Sequence, residues 1–447
     1  MTQSESPTDT SSIPLVPGAV PFFGHLPQMR KRLPDWCDEN HAKFGPLFRG
    51  NLGFGAVGVF VQGIESLEII GNKDTSSIDL LERCHGTLGK NAMIVLDGPA
   101  HRKSRGAVSA NFTPGGLDRA AVLKTTSAVF DEHIEAWSKL DSMDLKDLCS
   151  DAVFDAICRV IGVIPGELSQ WRSRFRMLLL GSMGSPTNLP GSPGWFAVRA
   201  RSWLDERLAA EIQRVRAEGD ESCLLGAMAH GKDEDARAVD DAALLDNLRL
   251  LVLAGHETTA STLGWVFLHL ADNPAMWERV VEEAHASLPE QLVTVSGLAS
   301  YPFAEALFRE AVRLYPPVTI ETRTVIREVS FHGHRFAPGA VLACSIVNAS
   351  LDASIHESPR AFLPDRWMGT EGRKRAPSKT EACQFGGGPH YCLGYHLAVA
   401  EGTQFIVSLA RRFHAAGLHL APAGPVPEPS YYPVITVPKS ATVRIVR

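Results

Sequence analysis

Phe385-Gly386-Gly387-Gly388-Pro389-His390-Tyr391-Cys392-Leu393-Gly394 is the stretch on which the reading of this chain turns. Three glycines and a proline precede one cysteine, and a long helix is expected from about Leu393 to Phe413. Glycines reach positive φ and let backbone pass close to a large flat group. A cysteine at a helix N-terminus meets free N–H groups and the positive end of the dipole, which favour a thiolate of lowered pKa. An axial ligand to iron needs that environment. Two other readings compete. A buried structural cysteine would leave the glycines without a use. A nucleophilic cysteine would need a base, for which His390 is near, and a third orienting group, which the sequence does not identify.

Outward from this loop, the chain reads as an ordinary globular protein. It has 447 residues, 45% hydrophobic and 21% charged, with a formal net charge of -6. That charge gives no global pull toward nucleic acid or an anionic membrane. The polar start, residues 1–12, has neither a basic n-region nor an apolar h-region, so a disordered tail is expected rather than a secretory signal. No apolar run approaches the ~18 residues of a spanning helix. A cytoplasmic protein with no membrane span is therefore expected, with residues 13–447 as a single domain. The eight cysteines are scattered without a C-x-x-C pair, which argues against a zinc ribbon or a disulfide scaffold.

The expected fold is mainly α with a minor β part. Ile13 to Pro27 reads as an extended entry segment and Phe44 to Gln62 as a β-hairpin. The helical period dominates from Ile64 to Ala271, with a loop at Gly181 to Gly194. The clearest helix starts near Asp240 and ends at Asp272-Asn273-Pro274, apolar on almost every face from Leu248, so it should cross the molecule buried. Helices follow at Pro274 to Ser287 and Phe303 to Tyr315, then short strands from Val318 to Val347. Pro359 to Pro389 reads as irregular chain.

The long helix carries Ala254-Gly255-His256-Glu257-Thr258-Thr259. Ala254 and Thr258 share a face, and a Thr hydroxyl bonding back four residues beside a Gly should loosen the helix and admit water. Thr258 would then deliver protons that Glu257 relays from outside. A zinc-protease reading of His256-Glu257 fails, because Ala260 stands where the second His is needed. Glu310 and Arg313, at i,i+3, face the same way on a helix whose context suggests burial. His101 and Arg105, at i,i+4, form a two-pronged clamp for an anion.

The cysteine loop resembles the haem-binding signature of the cytochrome P-450 family: Phe385, Gly388, Cys392 and Gly394 fall at its spacing. The other motifs follow in the family's order from Pro17 to near the C-terminus. The resemblance implies the family's fold, with the long buried helix lying over the haem. It implies heme b (iron protoporphyrin IX) with Cys392 as the metal ligand, and Phe385, Gly386, Gly394 and Ala254 around the cofactor. It gives the haem propionates to His101, Arg105, Arg323 and His390, the last where many members carry Arg. Glu257 and Thr258 become the acid and the alcohol of oxygen activation, and Glu310, Arg313 and Arg366 a structural lock.

The implied activity is insertion of one oxygen atom from O2 into a small lipophilic substrate, such as a terpenoid or steroid. Substrate contacts would come from Ser77 to Leu96, Met177 to Phe196, Leu250 to Ala254, Val318 to Ile320 and Tyr431 to Val434. Ile94, Leu250, Ala254, Val318, Ile320 and Val434 are the named candidates. Electrons would come from a separate ferredoxin or flavodoxin with its reductase, docking near the basic run Gly372 to Thr380. A haem-thiolate isomerase, dehydratase or peroxygenase, or a non-enzymatic haem sensor, remains open. None of these needs the Glu257–Thr258 pair.

Overall fold

The computed structural model describes residues 10–53, 55–76, 85–162, 168–182, 189–231, 239–370, 373–431 and 434–447. Helices dominate, accompanied among the described residues by three small sheets. The expected hairpin is Leu47–Asn51 paired with Val57–Val61, with Phe48 and Phe60 stacked across it at 5.1 Å. It is extended into a five-stranded sheet because Val57–Val61 runs parallel to Val341–Ser345, which pairs in turn with Ile320–Val325. Within the polar tail, Thr10–Ser12 forms a 3-10 turn rather than disordered chain, because Arg49 donates to the carbonyls of Ser11 and Ile13.

The central helix runs unbroken from Asp241 to Asp272. Asp240 caps it by accepting from Ala243 N–H at 3.1 Å. Asn273 ends it and caps the next helix, Pro274–Ala286, whose proline sits where no N–H is needed. At 32 residues and ~1.5 Å per residue the central helix is about 48 Å long. Its C-terminal half is buried all round, with Trp265, Val266 and Phe267 at 0% exposure. Burial on every side leaves no room for a polar face, so the apolar run in the sequence is a packing requirement. One core cluster gathers Trp265, Phe267, Phe130 and Phe405. A second gathers Leu248, Phe154, Trp171 and Leu208. The C-terminal helix is Tyr395–Ala415, beginning two residues later than expected.

Candidate active site

The cysteine loop is closed by its own backbone. Cys392 N–H donates to the Phe385 carbonyl at 2.8 Å, and Tyr391 N–H to that of Gly388 at 3.2 Å. Gly386 and Gly388 take φ of 74° and 58°. A Cβ on Gly388 would come within 2.8 Å of the Gly71 Cα, so this glycine serves a close approach to the helix Ser66–Gly71. At Gly394 an added Cβ would meet nothing within 4 Å. Phe385 packs edge-on against Tyr395 at 4.8 Å.

Cys392 lies three residues ahead of Tyr395, with Gly394 as the helix N-cap. The expected lowering of its pKa does not appear. Burial pushes the thiol up, against the opposing pull of Gly394 N–H and the Arg105 guanidinium. A sulfur so placed becomes a thiolate when a cation stands beside it.

One cavity gathers most of the expected residues. Cys392, Gly394, His101, Arg105, His390, Ala254, Thr258, Ile94 and Leu250 all line it. Val318, Ile320 and Val434 do not. Val318 is 40% exposed, and Ile320 packs against the main core. Arg323 is also absent from the lining, because its Nη1 donates to Glu321 Oε2 at 2.7 Å within the sheet. Of the expected contact segments, residues 77–84, 183–188 and 432–433 lie outside the described residues.

The donors of the cavity are arranged for an anion. Both ring nitrogens of His101 are buried without a hydrogen-bond partner, and the ring is 1% exposed. Burial, with His390 and Arg105 beside it, pushes His101 down to about 4. Arg105 makes no hydrogen bond or ion pair among the described residues. The His390 ring packs tilted against His101, with centroids 4.2 Å apart, and its Nε2 lies 2.7 Å from Asp97 Oδ1. Buried donors without acceptors are costly unless a ligand satisfies them. A flat group bearing carboxylates would satisfy these donors, and the cavity that holds them also reaches the Cys392 sulfur. The residues therefore fit haem.

On the central helix Thr258 Oγ1 donates to the Ala254 carbonyl at 2.7 Å, and Thr262 repeats the pattern on Thr258. The helix stays continuous through both, rather than loosening as expected. Glu257 does not face the cysteine cavity. It opens onto a neighbouring polar cavity lined by Lys146, Asp147, Asp151, Arg172 and Arg176. His256 lines that second cavity too, with Nε2 2.8 Å from Ser150 Oγ.

Glu310 and Arg313 are both fully buried. Arg313 forks onto Glu310 at 2.9 and 2.7 Å, and Arg366 Nε reaches Glu310 Oε1 at 3.1 Å. Trp367 Nε1 and Leu363 N–H complete the carboxylate, each at 2.8 Å. The remaining Arg313 donors end on the carbonyls of Ser350, Pro359 and Ala361. The triad thus fastens the helix Pro302–Leu314 to the irregular chain that leads into the cysteine loop.

Sequence reasoning missed several cavity residues, among them Phe112, Ile157 and Glu401. Glu401 is 4% exposed on the C-terminal helix, makes no hydrogen bond or ion pair among the described residues, and is pushed by burial up to about 8. Its signal was a lone acid in the apolar run Leu397 to Ala410. The folded state keeps a proton that the unfolded chain releases near pH 4.3. The stability from that proton is full below pH 4.3 and is lost as pH rises through 8. Glu401→Gln should remove this loss. In urea unfolding it should exceed the parent by on the order of 3 kcal/mol at pH 9, and by far less at pH 5. An equal gain at both values would refute the buried proton.

The family model described as "Cytochrome P450" matches residues 14–173 and 199–443. The chain is 33% identical over 438 residues to cytochrome P450 BJ-4 of Bradyrhizobium diazoefficiens, covering 97% of this chain and 96% of the relative. It is 26% identical over 416 residues to the putative cytochrome P450 120 of Synechocystis, covering 91% and 92%. Among solved structures, retinoic acid-bound cyanobacterial CYP120A1 superposes with a TM-score of 0.83 at 24% identity, over 97% of this chain and 99% of that one. Among the described residues no helix is long and apolar enough to cross a membrane. The chain belongs to the cytochrome P450 family and is a haem-thiolate monooxygenase.

Proposed function

We propose that residues 13–447 form one domain that binds heme b through Cys392 and inserts one oxygen atom of O2 into a small lipophilic substrate, by hydroxylation or epoxidation. The observation that carries this is a single cavity joining Cys392, the unpartnered His101 and Arg105, the Thr258 hydroxyl and apolar walls. Bound haem supplies reductive activation of O2. His101, Arg105 and His390 hold its propionates. Met93, Ile94, Phe112 and Leu250 bind the substrate and exclude water, and their apolar character suits a terpenoid or steroid skeleton. Thr258 holds a proton at Oγ1 on the cavity wall. Glu257 takes protons from the polar cavity on its other side.

Electrons come from a separate ferredoxin or flavodoxin with its reductase, in the cytoplasm. The basic run before the cysteine loop offers a smaller patch than its composition suggests. Lys374 pairs with Glu305 at 3.2 Å and Arg375 with Glu381 at 2.7 Å, while Lys379 is exposed and unpaired among the described residues.

Thr258→Ala tests the proton role. It should fold and bind substrate, because it deletes one methyl and one hydroxyl. Product should fall ~10²–10⁴-fold in the step this hydroxyl serves, while reductant is still consumed and peroxide accumulates. Glu257→Gln should instead slow reductant consumption itself. Unchanged coupling in Thr258→Ala would mean that protons arrive elsewhere, and would reopen the readings that do not use O2.

A further inference from the structure

The loop Pro21-Phe22-Phe23 carries two aromatic rings that are more than half exposed. Val20 and Gly24 exchange both backbone hydrogen bonds at 2.8 Å, closing the loop between them. Its base is fixed to the end of the Leu47–Val61 hairpin. His25 N–H donates to the Asn51 carbonyl at 2.8 Å, and Asn51 N–H to His25 Nδ1 at 2.9 Å. Phe22 is nevertheless 80% exposed and Phe23 53%, with Val20 at 39% and Val57 of the hairpin at 38%. Phe22 holds φ at 63°, a left-handed conformation that a bulky side chain rarely adopts. Strain that turns a large apolar ring outward is the mark of a contact made by that ring.

Charge indicates what the contact is. No Asp or Glu occurs between Asp9 and Asp35, although the chain as a whole is at -6. The helix Leu26–Phe44 starts directly behind the loop and carries Arg30, Lys31 and Arg32 on its exposed surface. Arg32 faces Glu39, and Arg30 donates to the neutral Ser430 hydroxyl at 3.3 Å, with Glu428 two residues away. Lys31 makes no hydrogen bond or ion pair among the described residues. Aromatic rings at a tip with cations one turn behind match the headgroup layer of an anionic bilayer: rings at the acyl boundary, cations at the phosphates.

We propose that the Phe22–Phe23 loop and the basic turn behind it form a reversible anchor to an anionic lipid surface. It dips into the interface without spanning it. The anchor depends on neither Cys392 nor the oxygen chemistry.

The holoprotein, at full length, should sediment with mixed phosphatidylcholine–phosphatidylglycerol vesicles at low salt and only weakly with phosphatidylcholine alone. The double variant Phe22→Asn, Phe23→Ser should partition about tenfold less to the mixed vesicles. Arg30→Gln with Lys31→Gln should lose several-fold at low salt and little at high salt. Phe22→Gly should bind vesicles less yet melt at a higher temperature, since the strain is relieved while the contact is lost. A ring kept only for packing would not divide those two readouts. Failure of the parent protein to bind mixed vesicles, or equal binding by the double variant, overturns the proposal. A dimer in sedimentation velocity that the double variant dissolves would assign the loop to a second copy of the chain instead.

Discussion

Cys392→Ala should purify as a folded protein without the red-shifted Soret band of a reduced, CO-treated haem thiolate, and without monooxygenase activity. Folding should survive because the loop is closed by backbone groups, Cys392 N–H on the Phe385 carbonyl among them, and alanine keeps that bond. The ligand should not be replaced from nearby. Cys383 is the next cysteine in the chain, yet it is 4% exposed, lies outside the cavity lining, and its thiol is pushed up to about 11. Loss should therefore be complete, whereas Thr258→Ala and Glu257→Gln should leave a residue of activity. A normal thiolate band in Cys392→Ala would overturn the assignment of the ligand.

Arg313→Ala should give little folded, haem-loaded protein, with a loss of ~3–5 kcal/mol in any fraction recovered. The substitution removes both contacts with Glu310 and strands the carbonyls of Ser350, Pro359 and Ala361. Glu310 would keep Arg366, Trp367 and Leu363, but at zero exposure that leaves a charge short of its planar partner. Arg313→Lys should rescue poorly, because an ammonium cannot reach five acceptors in one plane as a guanidinium fork does. Denaturant unfolding with haem absorbance as a second probe reads both effects. Recovery of Arg313→Ala with full haem and parental stability would remove the triad from its role in the fold.

What could be read in the sequence was what is local. The cysteine loop, the His101–Arg105 clamp and the Glu310–Arg313 pair each place their partners within a few residues, so residue type and spacing suffice. The central helix was legible because burial on every side removes its polar face. The remainder depends on distant chain. Glu310 is completed by Trp367, 57 positions away, which no period reveals. The thiol pKa was misjudged because dipole and N–H groups are local, while burial, the larger effect, comes from the whole cavity. Arg323 was given to a propionate by resemblance, and the strand places Glu321 on the same face, two residues back, where it takes the guanidinium. Val318, Ile320 and Val434 were assigned to the pocket by segment, and none of them lines the cavity.

The central helix stands between an oily room and a charged one. Thr258 stands in the first with Ile94 and Leu250, and the adjacent Glu257 opens into the second among lysine, arginine and aspartate. Drift in the oily walls can therefore exchange one substrate for another without redrawing the route by which protons arrive. The charged side can likewise be retuned without reshaping the substrate. A chain divided in this way can diversify its repertoire quickly, because the two requirements are inherited on different faces of the same helix.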